Sequence, residues 1–163
     1  MLKMTEKKLA QLIRPAGYFN VKARRLKNLC HWLNKNGGIE ELSSWTSEEL
    51  RSALLEVNGI GPETADDILL YAFERPVFVI DTYTRRLVKR LSLISGGEDH
   101  EVLRTFFESA LDLKPAIYNE YHALIVRHAK EKCCKDSNKG RYGKRSSDNV
   151  ADCRHCQVEL PIE

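Results

Sequence analysis

The sequence has no long apolar segment, and this excludes two classes of protein. No run approaches the ~18 apolar residues that a membrane-spanning helix needs. Residues 1–13 alternate charged and apolar side chains and lack the apolar stretch of about 7–15 residues found in a secretory signal, so we expect a cytoplasmic, nucleoid-associated protein without membrane contact. With 163 residues, 42% hydrophobic and 30% charged, the composition fits one globular domain, with or without a tail.

A strong charge of one sign and an even set of cysteines are also missing. The net charge of +3 permits nucleic-acid binding but does not by itself argue for it. Five cysteines in a cytoplasmic chain do not favour a disulfide framework. Most of them crowd near the C-terminus, which indicates a metal site or the remnant of one: Cys133, Cys134, Cys153 and Cys156.

Strand signals are scarce, because helical spacing dominates the sequence. The strand-like run Val77–Ile80 has no second strand to pair with, so we expect a buried extended connector and an all-α fold. Asn20 is predicted to cap an early helix that ends at Gly37–Gly38. Further helices are predicted after the capping box Thr46–Glu49, from Pro62 with Ala65, Ile68, Leu69 and Ala72 buried, after Asp81, and over Val102–Leu111 and Pro115–Lys130.

The chain changes character near its C-terminus. Residues 135–149 are rich in Lys, Arg, Ser, Gly and Asn and have almost no apolar side chains, which is typical of a flexible basic insertion. The sequence therefore predicts a helical domain over residues 1–132 and a basic, cysteine-containing tail over residues 133–163.

Two closely spaced glycines mark a tight turn between two predicted helices. In the segment Leu54–Ala65 the turn reads Asn58-Gly59-Ile60-Gly61. Glycine allows a tight backbone turn with exposed N–H groups, and the positive end of the next helix adds to them. Such a turn can hold a phosphate, and its carbonyls can hold a monovalent cation. From these residues alone, an ordinary helix–helix connection is an equal alternative.

A second segment, Val79–Arg86 (VIDTYTRR), follows the glycine turn. Together with Ile13–Leu26 and Tyr118–Val126, the two segments resemble the helix-hairpin-helix DNA glycosylase superfamily, and most closely its endonuclease III-related branch that includes 3-methyladenine glycosylases. The resemblance covers roughly residues 5–134. It implies a monomeric base-excision-repair enzyme that acts on double-stranded DNA with damaged bases.

The resemblance gives roles to two carboxylates. Asp81 matches the residue that faces the flipped nucleotide and assists departure of the base, as a carboxylate stabilises an oxocarbenium-like sugar. A plain helix N-cap is the alternative reading, and the two roles are compatible. Glu63 stands where bifunctional relatives carry the lysine that attacks the sugar. Because a carboxylate cannot form a Schiff base, the resemblance implies base removal by water without strand nicking.

Residues that would contact DNA or the base follow from the same resemblance. Tyr18, Phe19 and Tyr83 are the available aromatics, with core packing the expected role of Phe19. The residues expected to contact the DNA backbone are Asn58, Gly59, Ile60, Gly61 and Thr64 in the hairpin, and Arg85 and Arg86 after Asp81.

The cysteine pattern partly matches the [4Fe–4S] site of many relatives. Cys133 fits the first ligand, and Cys153 and Cys156 fit the middle pair, but no fourth cysteine follows. Cys134 is a poor substitute because adjacent cysteines seldom reach two irons of one cluster. His128 or His155 could instead complete a zinc site. No metal, an iron–sulfur cluster and zinc all stay open.

The leading hypothesis is a monofunctional DNA glycosylase for alkylated purines. A bifunctional endonuclease III-like enzyme for oxidised pyrimidines is one alternative, and Glu63 counts against it. Relatives normally carry further N-terminal helices, so we expect a truncated sequence, a fragment or a compensated small relative. A non-catalytic DNA-binding remnant is therefore the other alternative.

Overall fold

The computed structural model describes residues 2–91, 93–95 and 97–131, and this part of the chain contains helices and no strand. The chain divides into two compact units, Met1–Arg75 and Pro76–Glu163. The predicted all-α fold is confirmed. The predicted boundary between residues 132 and 133 falls outside the described residues and stays a prediction. None of the helices described is both long and apolar enough to cross a membrane.

The first unit contains five α-helices and one short 3-10 turn. The helices are α1 (Glu6–Leu12), α2 (Phe19–Lys35), α3 (Gly38–Leu42), α4 (Ser47–Leu55) and α5 (Pro62–Phe73), with the 3-10 turn at Arg14–Ala16. Leu9 and Ala10 of α1 and Ala23 of α2 form a buried cluster, against which Phe19 and Leu26 pack. This cluster fixes the start of α2.

The predicted cap of α2 is wrong. Tyr18, with φ of 46°, is the N-cap, and Asn20 lies inside the first turn. Gly17, with φ of 65°, and Tyr18 turn the chain sharply before the helix. Because Phe19 packs against the buried cluster, the helix begins one residue before the polar side chain that sequence rules favour. The end of α2 just before Gly37 agrees with the prediction.

The helices α4 and α5 form the pair that flanks the glycine turn. The capping box of Thr46 and Glu49 opens α4, and Pro62 occupies the first turn of α5, both as predicted. Ala65 and Leu69 are buried as predicted.

The buried face of α5 is rotated from the predicted one. Asp66 and Leu70 are buried, whereas Ile68 is half-buried and Ala72 is exposed. The reason is an ion pair: Arg51 Nε of α4 lies 2.6 Å from Asp66 Oδ1, which draws this carboxylate into the interface of the two helices.

The second unit contains three helices in its described part. They are α6 (Thr82–Arg90), α7 (His100–Ala110) and α8 (Pro115–Glu131). Val77–Ile80 is a buried non-helical connector, as predicted. The Phe78 ring stacks on Phe107 with centroids 4.2 Å apart and meets the edge of Tyr118 at 5.5 Å. These contacts anchor the connector and thereby fix the position of Asp81, the residue just before α6.

Candidate functional site

The turn between α4 and α5 has a backbone that only glycine fits well. Gly59 has φ of 100°, a conformation that side chains rarely adopt. A Cβ at Gly59 would also collide with Arg25 Cγ and lie 2.9 Å from Arg25 Cδ, because the stem of Arg25 from α2 crosses the turn. The amide of Asn28, one turn further along α2, donates to the Asn58 carbonyl at 2.9 Å. The helix α2 therefore braces the turn.

The same turn presents backbone N–H groups at the start of α5. Regular bonding of the helix begins with the Ala65 N–H donating to the Gly61 carbonyl at 2.9 Å. The preceding N–H groups of Gly61 and Thr64 therefore have no acceptor inside the helix, and helix N-termini of this kind bind anions. The Ile60 N–H differs, because it donates to Val57 O at 2.9 Å. The predicted hairpin residues therefore lie together around one turn. One of their N–H donors, that of Ile60, already has an acceptor within the protein.

Tyr18 is an exposed aromatic residue in a strained conformation. It has φ of 46°, and 87% of its surface is accessible. Backbone strain of this kind clusters at functional sites, and an exposed aromatic ring is a surface on which a base can stack. The other two aromatic candidates are less exposed than Tyr18. Phe19 packs against the core as predicted, and Tyr83 is half-buried.

Asp81 is the N-cap of α6, as the sequence predicts. Its Oδ1 accepts a hydrogen bond from the Thr84 N–H at 2.7 Å. The residue is only 8% exposed, since the buried connector leads directly into it. A buried carboxylate with part of its surface still open to solvent is suited to stabilising positive charge on a bound sugar.

His122 of α8 lies beside this carboxylate and was not among the predicted site residues. Its Nε2 atom is 3.6 Å from Asp81 Oδ2, and both side chains are about nine-tenths buried. Burial by itself raises the pKa of Asp81, but the His122 side chain and the Thr84 N–H outweigh burial and hold that pKa below its ordinary value. Asp81 is therefore ionised at neutral pH.

Glu63 lies in the first turn of α5 and is exposed. A carboxylate is favourable there because the helix dipole is positive at this end. The position supplies no amine, so the turn has no nucleophile for Schiff-base chemistry at residue 63.

Arg85 and Arg86 make main-chain contacts within the second unit. Arg85 Nη1 donates to the Glu98 carbonyl at 2.6 Å, and Arg86 Nη2 donates to the Ala129 carbonyl at 2.8 Å. Arg86 also lies over the Tyr83 ring at 5.2 Å from its centroid. Both arginines therefore have structural roles. Contact of their other guanidinium N–H groups with the DNA backbone stays a prediction.

The predicted metal ligands Cys133, Cys153 and Cys156 lie outside the described residues, as do Cys134 and His155. Within the described ranges, no group of three or more His, Cys, Asp or Glu side chains is placed to hold a metal ion. The iron–sulfur and zinc hypotheses therefore stay predictions, as does the monovalent cation at the hairpin.

Sequence comparisons give one family match and several relatives. Residues 1–112 match the sequence model of the family described as HhH-GPD superfamily base excision DNA repair protein. A protein of Methanocaldococcus jannaschii, provisionally named a DNA repair glycosylase, is 46% identical over 138 residues, which cover 83% of this chain and 63% of that protein. Endonuclease III of Sulfolobus acidocaldarius is 31% identical over 121 residues, which cover 74% and 52%.

A solved structure is similar in both fold and sequence. It is the crystal structure of H. pylori 3-methyladenine DNA glycosylase bound to 1,N6-ethenoadenine, with a TM-score of 0.68 and 32% identity. The match covers 80% of this chain and 66% of the other. The chain thus spans between half and two thirds of the length of these proteins.

Proposed function

Because the chain belongs to the HhH-GPD superfamily of base excision DNA repair proteins, we propose that it is a monofunctional DNA glycosylase that removes alkylated purines from double-stranded DNA. The observation that carries this proposal is the buried Asp81 carboxylate, which caps α6 and lies beside His122. The hairpin around Gly59 binds the DNA backbone, and the damaged nucleotide is flipped out of the stack.

The reaction breaks the bond between C1′ of the sugar and the nitrogen of the base. As this bond breaks, its electron pair leaves with the base and positive charge develops on the sugar. The Asp81 carboxylate stabilises that charge, water adds to C1′ and releases a proton, and an abasic site remains. This role requires that Asp81 is ionised before the substrate binds. A pKa held below its ordinary value favours the ionised form.

Three arguments favour alkylated purines and hydrolysis. Purines alkylated at N3 or N7 are cationic, so they leave with little acid assistance and suit a site built around the Asp81 carboxylate. The H. pylori protein of similar structure is named for 3-methyladenine and is bound to a modified adenine. Glu63 in place of an amine supports water, rather than a lysine, as the nucleophile.

An endonuclease III-like activity is the second candidate. It is favoured by the relative named endonuclease III, at 31% identity. In such an enzyme an amine would attack the sugar and strand cleavage would follow base removal. The exposed carboxylate of Glu63 argues against this candidate.

The decisive assay is base release from a duplex that contains one 3-methyladenine, analysed with and without alkali. We expect strand breaks only after alkaline treatment, and no covalent complex when borohydride is added. Breaks without alkali, together with a borohydride-trapped complex, would establish the endonuclease III-like candidate. DNA binding with no release from this duplex or from one with 1,N6-ethenoadenine would contradict the glycosylase proposal and favour a non-catalytic binder.

Tyr18 provides a separate test of the DNA-binding surface. We expect Tyr18→Ala to weaken binding to damaged duplex by about 1–3 kcal/mol, or roughly 5- to 150-fold, because a base loses its stacking partner. Titration of a fluorescent duplex measures the effect, and Tyr71→Ala, which removes an exposed tyrosine of α5, is the matched control. Equal affinity of Tyr18→Ala and the unmodified protein would exclude a stacking role.

The tail cysteines would give the protein a structural cofactor rather than a catalytic one. A [4Fe–4S] cluster takes four ligands, and we propose that Cys133, Cys153 and Cys156 supply three of them as thiolates. Iron and sulfide analysis with a visible absorption spectrum tests this proposal. Zinc without sulfide would establish the alternative site, and a metal-free protein would exclude both.

A further inference from the structure

The buried face of α8 contains one histidine in an otherwise largely apolar row. Tyr118, His122, Ile125 and Ala129 are its buried residues and follow the spacing of a single helix face. Burying an imidazole in such a row is unfavourable unless its ring nitrogens have polar partners. The carboxylate of Asp81 is the polar group that this position brings to the Nε2 side of the ring.

The two oxygens of Asp81 face two different elements. Oδ1 accepts the Thr84 N–H of α6 at 2.7 Å, and Oδ2 faces His122 Nε2 of α8 at 3.6 Å. The first contact opposes rotation of the carboxylate about the bond to Cβ on one side only. His122 faces the other oxygen from a helix that packs against α6, and a charged or hydrogen-bonding contact there would oppose the rotation from the second side.

We infer that His122 is the positioning residue of the Asp81 carboxylate, which it holds in one orientation from α8 while the first turn of α6 holds the other oxygen. This inference rests on the proposed function, because the orientation of Asp81 matters only if its carboxylate stabilises charge on the sugar. Aligned charge next to the reacting sugar stabilises the transition state more than a carboxylate that must first reorient.

The charged groups around the pair favour this assignment. Arg86 of α6 is directed elsewhere, since it donates to the Ala129 carbonyl further along α8. On α8, Lys130 lies over the Tyr83 ring, 5.6 Å from its centroid. His122 is therefore the α8 side chain described beside Asp81, and together with Thr84 of α6 it lowers the pKa of that carboxyl group.

Two substitutions at His122 test the inference in the whole of this chain. His122→Phe keeps a planar ring but removes the nitrogen, and we expect about a 10- to 100-fold lower single-turnover rate of 3-methyladenine release with unchanged DNA affinity. His122→Gln places an amide N–H near the position of Nε2 and should restore most of the rate. Glu120→Gln, an exposed change on the same helix, should leave the rate unchanged.

The pH dependence separates positioning from simple support of the fold. Because the His122 side chain lowers the pKa of Asp81, its loss should raise that pKa, and the acid limb of the rate profile should move to higher pH in His122→Phe. A purely structural role would lower the rate at every pH without moving this limb. Equal rates and an unmoved limb in His122→Phe, or the same defect in His122→Gln as in His122→Phe, would overturn the inference.

A titration of the Asp81 carboxyl carbon by NMR keeps the test independent of the proposed function. If the unmodified protein releases no base, the proposed function fails, but the titration still reports the contact between the two side chains. A higher pKa of Asp81 in His122→Phe supports the contact. An unchanged pKa contradicts it, whatever the activity of the protein.

Discussion

Replacing Asp81 with asparagine is expected to lower the single-turnover rate of base release by roughly 10²–10⁴-fold while DNA affinity is retained. Asparagine is nearly isosteric with aspartate and is also a good N-cap, so its side-chain oxygen can still accept the Thr84 N–H. What the substitution removes is the negative charge that stabilises the sugar. Rapid-quench measurement of excision, beside a binding titration with the same duplex, separates the two quantities.

A second capping aspartate provides the control for this experiment. Asp99 is the N-cap of α7, is exposed, and accepts the His100 N–H at 2.8 Å. Asp99→Asn makes the same chemical change at another helix start and should leave both rate and affinity unaltered. If Asp81→Asn excises the base as fast as the unmodified protein, Asp81 is a cap without a catalytic role.

The helices could be predicted from the sequence wherever a local rule and the packing agree. Thr46 and Glu49 cap α4 reciprocally, Pro62 starts α5, and Asp81 caps α6, because each signal lies within one turn of the helix that it begins. The rule failed at Asn20, where the packing of Phe19 outweighs the preference for a polar cap. It also failed for the buried face of α5, because the partner of Asp66, Arg51, lies on another helix.

The candidate site was predictable to a similar extent. Asp81 and the hairpin glycines belong to short contiguous segments, so a resemblance can find them. His122 lies in a different helix, 41 positions after Asp81, and only the packing of α6 and α8 brings the two together. Its sequence signal is a histidine in register with Tyr118, Ile125 and Ala129, which is also the pattern of an ordinary buried histidine. The main-chain contacts of Arg85 and Arg86 could not be predicted either, because their acceptors lie far away along the sequence.

Gly59→Ala is expected to lower the free energy of unfolding by about 2–4 kcal/mol and to weaken DNA binding. About 1–2 kcal/mol comes from forcing a side chain into positive φ, and the rest from overlap of the new Cβ with Arg25. Urea denaturation measures the first effect, and titration with duplex DNA measures the second. Affinity falls because relief of the overlap requires the turn or Arg25 to move, and the N–H groups of the turn then lose their alignment.

Three further variants separate the two causes of the lost stability, backbone strain and overlap with Arg25. Gly61→Ala should change the free energy of unfolding by less than about 0.5 kcal/mol, since φ is −106° and no atom lies within 4 Å of its Cβ position. Gly17→Ala tests backbone strain without overlap of outside atoms, because its Cβ position is also open while its φ of 65° and ψ of 159° favour glycine. The double variant Gly59→Ala/Arg25→Ala should recover only part of the lost stability, because it removes Arg25 Cγ and Cδ while Arg25 Cβ stays 3.0 Å from the new Cβ. If Gly59→Ala is as stable as Gly61→Ala, the turn has a different backbone, and its N–H groups lack the arrangement on which phosphate binding depends.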